Sequence, residues 1–118
     1  MQKEFSLITI YHNPRCSKSR ECLALPQLQN IPVNIVKYLD TPLSKDEIKE
    51  LINKLGIKPI ELVRQKEPAW ETYKNKKLTS AQIIAALATH PQLIERPIVV
   101  NGNNAVIARP AAVALSIL

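Results

Sequence analysis

Several things are scarce in these 118 residues. No apolar run approaches the roughly 18 residues a helix needs to cross a bilayer. The opening Met1, Gln2, Lys3 and Glu4 also lack the charged-then-apolar layout of a secretory leader. No membrane association is expected, and the expected location is cytoplasmic. The chain has two cysteines, Cys16 and Cys22, and two histidines, His12 and His90. Ligands so few and so scattered make no zinc cluster, so no metal site is expected. Inside a cell the two thiols should be reduced, and any disulfide between them transient. Aromatic side chains make up 4% of the chain, too few to build a platform on which bases stack. The net charge of +6 would suit nucleic acid, but its placement argues otherwise. Lys45, Lys49, Lys54, Lys58, Lys66, Lys74, Lys76 and Lys77 are interspersed with Asp46, Glu47, Glu50, Glu61, Glu67 and Glu71, the pattern of a solvated surface. No nucleic-acid partner is expected.

What is present is an ordinary globular composition, 46% hydrophobic and 22% charged. The length suits one domain spanning residues 1–118, able to bury roughly two-thirds of its unfolded surface around one core. There are no internal repeats or linker-like stretches, and with glycine limited to Gly56 and Gly102 the nine prolines punctuate the chain. Residues 7–11 are apolar and β-branched and predict a buried strand that ends at Asn13 and Pro14. Helix formers follow from 17 to about 25, and Pro26 should kink that helix or force a new start. Residues 33–38 alternate as a second strand.

Ser44 with Glu47 is a capping box, and Ile48, Leu51, Ile52 and Leu55 then share one helical face before Gly56 stops the helix. A shorter helical segment after Pro59 should end near Arg64. The segment 65–77 has weak periodicity and reads mostly as loop with one short helix at most. Thr79 with Gln82 opens another helix that reaches about His90, a histidine better suited to capping than to catalysis. Residues 97–100 and 105–108 then flank a hairpin turn at 101–104, and Pro110 begins a final helix to about Ile117. A strand-helix-strand opening requires a parallel pair, and a closing hairpin is antiparallel. The expected fold is α/β: a four-stranded mixed sheet flanked by helices, with a helical insertion between strands 2 and 3. That layout resembles thioredoxin-like domains.

Cys16 falls between a strand end and a helix start, where free N–H groups and the positive end of the helix can stabilise a thiolate. Arg15, Lys18 and Arg20 add positive potential. Against this stands the reading of Cys16 as a small buried hydrophobe, which the basic flanks and strand-to-helix position disfavour. Ser19 occupies the place of the second cysteine in a C-x-x-C pair; its hydroxyl can donate to the thiolate but forms no disulfide. Cys22 lies six residues on, and a regular helix separates such positions by about 9 Å of rise and about 240° of rotation. The two sulfurs cannot bridge, which assigns Cys22 to the core. If Cys16 turns over, its resolving thiol must come from outside: glutathione or a redoxin. A phosphatase-type loop is excluded because Cys22 stands where its arginine would be. Away from Cys16, arginine occurs as Arg64, Arg96 and Arg109, each at a predicted element boundary, where a planar fork can bind an oxyanion or simply face solvent.

His12-Asn13-Pro14-Arg15-Cys16-Ser17-Lys18-Ser19-Arg20, Arg64, the block Glu95-Arg96-Pro97-Ile98-Val99-Val100 and Ala108-Arg109-Pro110 resemble the glutaredoxin-coupled arsenate reductase family, in order and over nearly the whole chain. The resemblance implies an oxidoreductase with no bound cofactor and with glutathione as co-substrate. It implies that Cys16 attacks arsenate, that glutathione then adds, and that glutaredoxin completes reduction to arsenite. By position it implies that Arg64, Arg96 and Arg109 bind the oxyanion and that His12 tunes the nucleophile, with Asn13 and Ser19 as secondary site residues. Thioredoxin-like folds place a cis-proline before the third strand, opposite the cysteine loop, and Pro97 stands at that position, but the sequence alone does not assign its peptide bond as cis. Two other readings compete: a regulator resembling the Spx family, which binds RNA polymerase and commonly carries the C-x-x-C pair that Ser19 breaks here, and a general glutathione-linked thiol reductase.

Overall fold

A computed structural model describes residues 8–28 and 31–118; Leu7, the expected first strand residue, and Met1, Gln2, Lys3 and Glu4 lie outside the described residues. The chain divides into two compact units. One holds the described residues up to Lys37 together with Arg96–Leu118, and the other is Tyr38–Glu95.

The first unit is built on a sheet of β1 (Ile8–Tyr11), β2 (Val33–Val36), β3 (Ile98–Asn101) and β4 (Asn104–Ile107) in the order β2-β1-β3-β4. β1 and β2 are parallel with Ile10 beside Ile35, and α1 (Ser17–Leu23) lies in the crossover that a parallel pair requires. β3 runs antiparallel to β1 with Ile98 opposite Tyr11, and β4 returns antiparallel to β3. Gly102 is the first central residue of that two-residue hairpin, with φ +62°, which a side chain would disfavour. The central β3 is buried at Ile98, Val99 and Val100, while the edge strand β2 exposes Asn34 and Ile35. Ile8, Ile10, Cys22, Leu28, Val99 and Ala108 join Ala111 and Ala114 in one apolar cluster.

Two helices of this unit differ from expectation. α1 ends at Leu23, because Pro26 has no N–H to continue it and instead opens a 3₁₀ turn, Pro26–Leu28. The final helix is 3₁₀, Ala111–Ile117, with Pro110 just outside it. Its inward residues Ala111, Ala114 and Ile117 recur every third position, which matches three residues per turn rather than 3.6.

The second unit carries α2 (Lys45–Leu55) and α3 (Ser80–Thr89), which pack on each other. Both expected capping boxes are formed. Ser44 Oγ accepts the Glu47 N–H at 3.1 Å while Glu47 Oε1 accepts the Ser44 N–H at 3.1 Å. At α3 the Thr79 and Gln82 pair closes at 3.2 and 2.8 Å. Ile48, Leu51 and Ile52 face inward from α2, as Ile83, Ala86 and Leu87 do from α3, and Gly56 ends α2 in the left-handed conformation at φ +66°. The segment 65–77 contains one 3₁₀ turn, Pro68–Thr72, formed where Trp70 is buried and its ring stacks on Tyr73 at 5.5 Å. A turn the periodicity missed, Pro91–Leu93, buries Leu93. β2 stops short of its expected end because Tyr38 turns away into this unit, where its ring is fully buried and its hydroxyl donates to the Ile94 carbonyl at 3.5 Å. Together these segments form the helical insertion between strands 2 and 3, and the observed fold is the mixed four-stranded α/β arrangement expected. No helix among the described residues is long and apolar enough to cross a membrane.

Ser44→Ala removes a side-chain acceptor from the first turn of α2 and should destabilise the protein by about 1 kcal/mol. Urea unfolding should show a lower midpoint at unchanged slope; an unchanged midpoint would refute the role of the cap.

Candidate active site

The register of the sheet determines which chain segments meet. Tyr11, the last residue of β1, is opposite Ile98, the first of β3, and Ile98 is opposite Ile107, the last of β4. The loop leaving β1, the residues entering β3 and those leaving β4 therefore lie side by side. They carry Cys16, Arg96 and Arg109.

The loop after β1 is organised by Asn13, which is buried. Its side-chain Oδ1 accepts the Arg15 N–H at 3.0 Å, the self-closing turn that Asn favours. Its carbonyl accepts the Cys16 N–H at 3.0 Å, and its own N–H donates to Ser19 Oγ at 3.0 Å. The His12 N–H reaches back to the Val36 carbonyl at 2.9 Å, and Arg20 Nη1 donates to the Pro14 carbonyl at 2.9 Å. Every anchor of the loop is thus a hydrogen bond to β2 or within its own turn and α1.

Cys16 is the residue that caps α1, with extended backbone at φ −93° and ψ 123°. Burial is the largest influence on its thiol and pushes the pKa up. The backbone N–H groups of Ser19 and Lys18 and the guanidinium of Arg96 favour the thiolate, and with the Arg96 charge they outweigh burial, so the pKa is lowered. Cys22 shows the opposite balance. It is fully buried among Ile10, Leu28 and Val99 with no such donors, and burial pushes its thiol up to about 11. Both cysteines are free thiols.

Arg96 is buried, and the Arg96-Pro97 peptide is cis, as is Arg109-Pro110. Arg109 is exposed, and its Nη1 donates to the Arg96 carbonyl at 3.1 Å. Cys16, Arg96 and Arg109 are therefore brought together within the first unit. Arg64 belongs to the second unit, half-buried, with Nε 3.6 Å from Glu67 and Nη1 3.6 Å from Glu95.

The remaining candidates have defined places. His12 is buried, and its pKa is lowered by that burial and by the positive charges of Lys37 and Arg20. Its Nδ1 is 2.6 Å from Ser19 Oγ. The Ser19 hydroxyl is accordingly committed to His12 and Asn13 rather than to the sulfur, and it is the backbone of Ser19 that favours the thiolate. Residue types carry no signal for such N–H donors, although an Asn directly before a Pro could have pointed to the loop that aims them. His90 ends α3, its N–H on the Ala86 carbonyl at 2.9 Å and its ring edge-on to Tyr73 at 6.0 Å.

A mixed four-stranded sheet in the order β2-β1-β3-β4, with a free thiol between β1 and α1, defines a thioredoxin-like domain. A model of the ArsC family matches residues 11–117, and the chain belongs to that family. It is similar to the arsenate reductase of Haemophilus influenzae, 41% identical over 114 residues covering 94% of this chain and 98% of the relative. Over 106 residues it is 42% identical to the arsenate reductase of Neisseria meningitidis serogroup B, covering 87% and 91%. The solved structure of an arsenate reductase from Vibrio cholerae superimposes with a TM-score of 0.90 at 42% identity, covering 98% of this chain and 100% of that one.

Alkylation by iodoacetamide, followed by mass spectrometry against pH, should modify Cys16 with a midpoint below that of an ordinary cysteine and leave Cys22 untouched until unfolding. Arg96→Ala removes a donor and a positive charge from the thiolate, so the Cys16 midpoint should move to higher pH. Equal reactivity of the two cysteines would overturn the assignment.

Proposed function

We propose that this protein reduces arsenate to arsenite with Cys16 as the nucleophile. The observation that carries the reading is the lone, activated Cys16 thiol hydrogen-bonded by Arg96, with the Arg109 guanidinium anchored on the Arg96 backbone. A guanidinium that acts on the thiol, with a second one anchored on its backbone, suits an oxyanion substrate.

In the proposed cycle the Cys16 thiolate attacks arsenic, an S–As bond forms, and one arsenate oxygen leaves as hydroxide or water. Glutathione then adds its sulfur to the same arsenic, displacing a second oxygen as water. The thiolate of glutaredoxin attacks the glutathione sulfur and forms a glutaredoxin–glutathione disulfide; the S–As bond to glutathione breaks, and its electron pair reduces arsenic from the +5 to the +3 state. Hydrolysis frees arsenite and returns Cys16. Cys22 supports this dependence on external thiols, because it is buried in the core with its thiol protonated. Arg96 and Arg109 would stabilise charge on the arsenate oxygens. Arg64 is retained as a third oxyanion-binding arginine on the strength of the family resemblance alone. Glutathione as co-substrate and glutaredoxin as partner imply a reducing, cytoplasmic setting.

Arsenate-dependent NADPH oxidation, coupled through glutathione, glutaredoxin and glutathione reductase, should be abolished by Cys16→Ser. It should fall about 10²–10³-fold in Arg96→Ala, and Arg64→Ala tests the third arginine in the same assay. Full turnover by the serine variant would refute the mechanism. Mixed-disulfide reduction that is equal in Arg96→Ala and wild type, with no arsenate turnover in either, would make the protein a general thiol reductase instead.

A further inference from the structure

Ser19 is completely buried on α1, and its Oγ has two neighbours, the Asn13 N–H at 3.0 Å and His12 Nδ1 at 2.6 Å. A serine hydroxyl offers one proton and two lone pairs. The Asn13 amide can only donate, so it occupies one lone pair. If Nδ1 carried a proton it would take the other, and the hydroxyl proton would be stranded. Solvent does not reach Ser19, and among the described residues no third group hydrogen-bonds its oxygen. A buried donor without an acceptor is strongly disfavoured. With the hydroxyl donating to an unprotonated Nδ1, every group is satisfied.

We propose that Ser19 is a positioning residue whose hydroxyl, held by the Asn13 N–H, fixes His12 as the neutral ring with its proton on Nε2. The surroundings act in the same direction: the ring is buried, and Lys37 after β2 and Arg20 on α1 both oppose a positive charge on it. The consequence for Cys16 rests on the nucleophilic role proposed above. His12 does not receive the Cys16 proton, and the pair is not a thiolate-imidazolium ion pair. The half-buried thiol loses its proton to solvent, and its thiolate is held by the Ser19 and Lys18 N–H groups and by Arg96. Ser19 then acts twice, through its backbone on the sulfur and through its side chain on the histidine.

The test is long-range ¹H–¹⁵N NMR of the whole protein with labelled histidine. At pH 7 the expected pattern is a pyridine-type Nδ1 and a pyrrole-type Nε2 for His12, unchanged while ultraviolet absorbance shows Cys16 passing from thiol to thiolate. An imidazolium, or a proton on Nδ1, overturns the proposal. Ser19→Ala should release the ring into a mixture of both tautomers, and Ser19→Thr should restore the single one; an unaltered tautomer in Ser19→Ala also overturns it. Should neither variant fold, the wild-type pattern alone decides. Absence of arsenate turnover in the wild type would remove the reductase reading and leave the tautomer result standing.

Discussion

The pairing of Tyr11 with Ile98 and of Ile98 with Ile107 is the constraint on which the reactive site depends. A strand register has a period of two, and a slip by one residue would turn the inward side chains of a strand outward. In β1 burial alternates, with Ile8 and Ile10 inward and Thr9 and Tyr11 half-buried, so a slip of that strand would turn out the side chains that the core requires. The apolar core therefore sets a position far more sharply than any polar contact at the site could. Once those strand ends are aligned, the residues just beyond them have little freedom. Cys16 follows β1 by one short loop, Arg96 precedes β3 by one proline, and Arg109 follows β4 by one alanine. The chemistry is held by packing several residues away.

Electrostatics within this frame is divided between backbone and side chain. The thiolate at Cys16 is favoured by main-chain N–H groups that any residue except proline would supply at positions 18 and 19, together with one guanidinium. Cys22, on the same helix, has the same functional group and the opposite behaviour. Six residues of helix are enough to carry a sulfur from a ring of donors into a wholly apolar cluster. The difference between a reactive and an inert cysteine in this chain is one of neighbours rather than of residue type.

Much of this was legible in the amino-acid order. The capping boxes at Ser44 and Thr79, the stop at Gly56, the parallel opening pair and the closing hairpin all rest on local chemistry that the fold leaves intact. What was illegible falls into two kinds. Short 3₁₀ turns such as Pro91–Leu93 have too few residues to show a period, although the three-residue spacing of Ala111, Ala114 and Ile117 was visible and was read with the wrong one. The second kind is the destination of a side chain. Ser19 has equal chemical reason to donate to a sulfur or to an imidazole, and only the turn built by Asn13 decides between them. Arginines at element ends can likewise be counted in the sequence, but whether each lies beside a thiol or between two carboxylates is a property of the fold.

Arg109 and Arg64 illustrate what that property means for an approaching anion. Arg64 is oriented by Glu67 and Glu95, two carboxylates that hold its guanidinium in place and also cancel part of its field. Arg109 is oriented by a main-chain oxygen, which directs one of its N–H groups and neutralises nothing. Arg109 keeps a positive charge whose direction is already set, and among the described residues no carboxylate pairs with it. The Arg96 carbonyl thus gives Arg109 a direction without taking away its charge, so that the backbone at the entrance to β3 presents an oriented and intact cation.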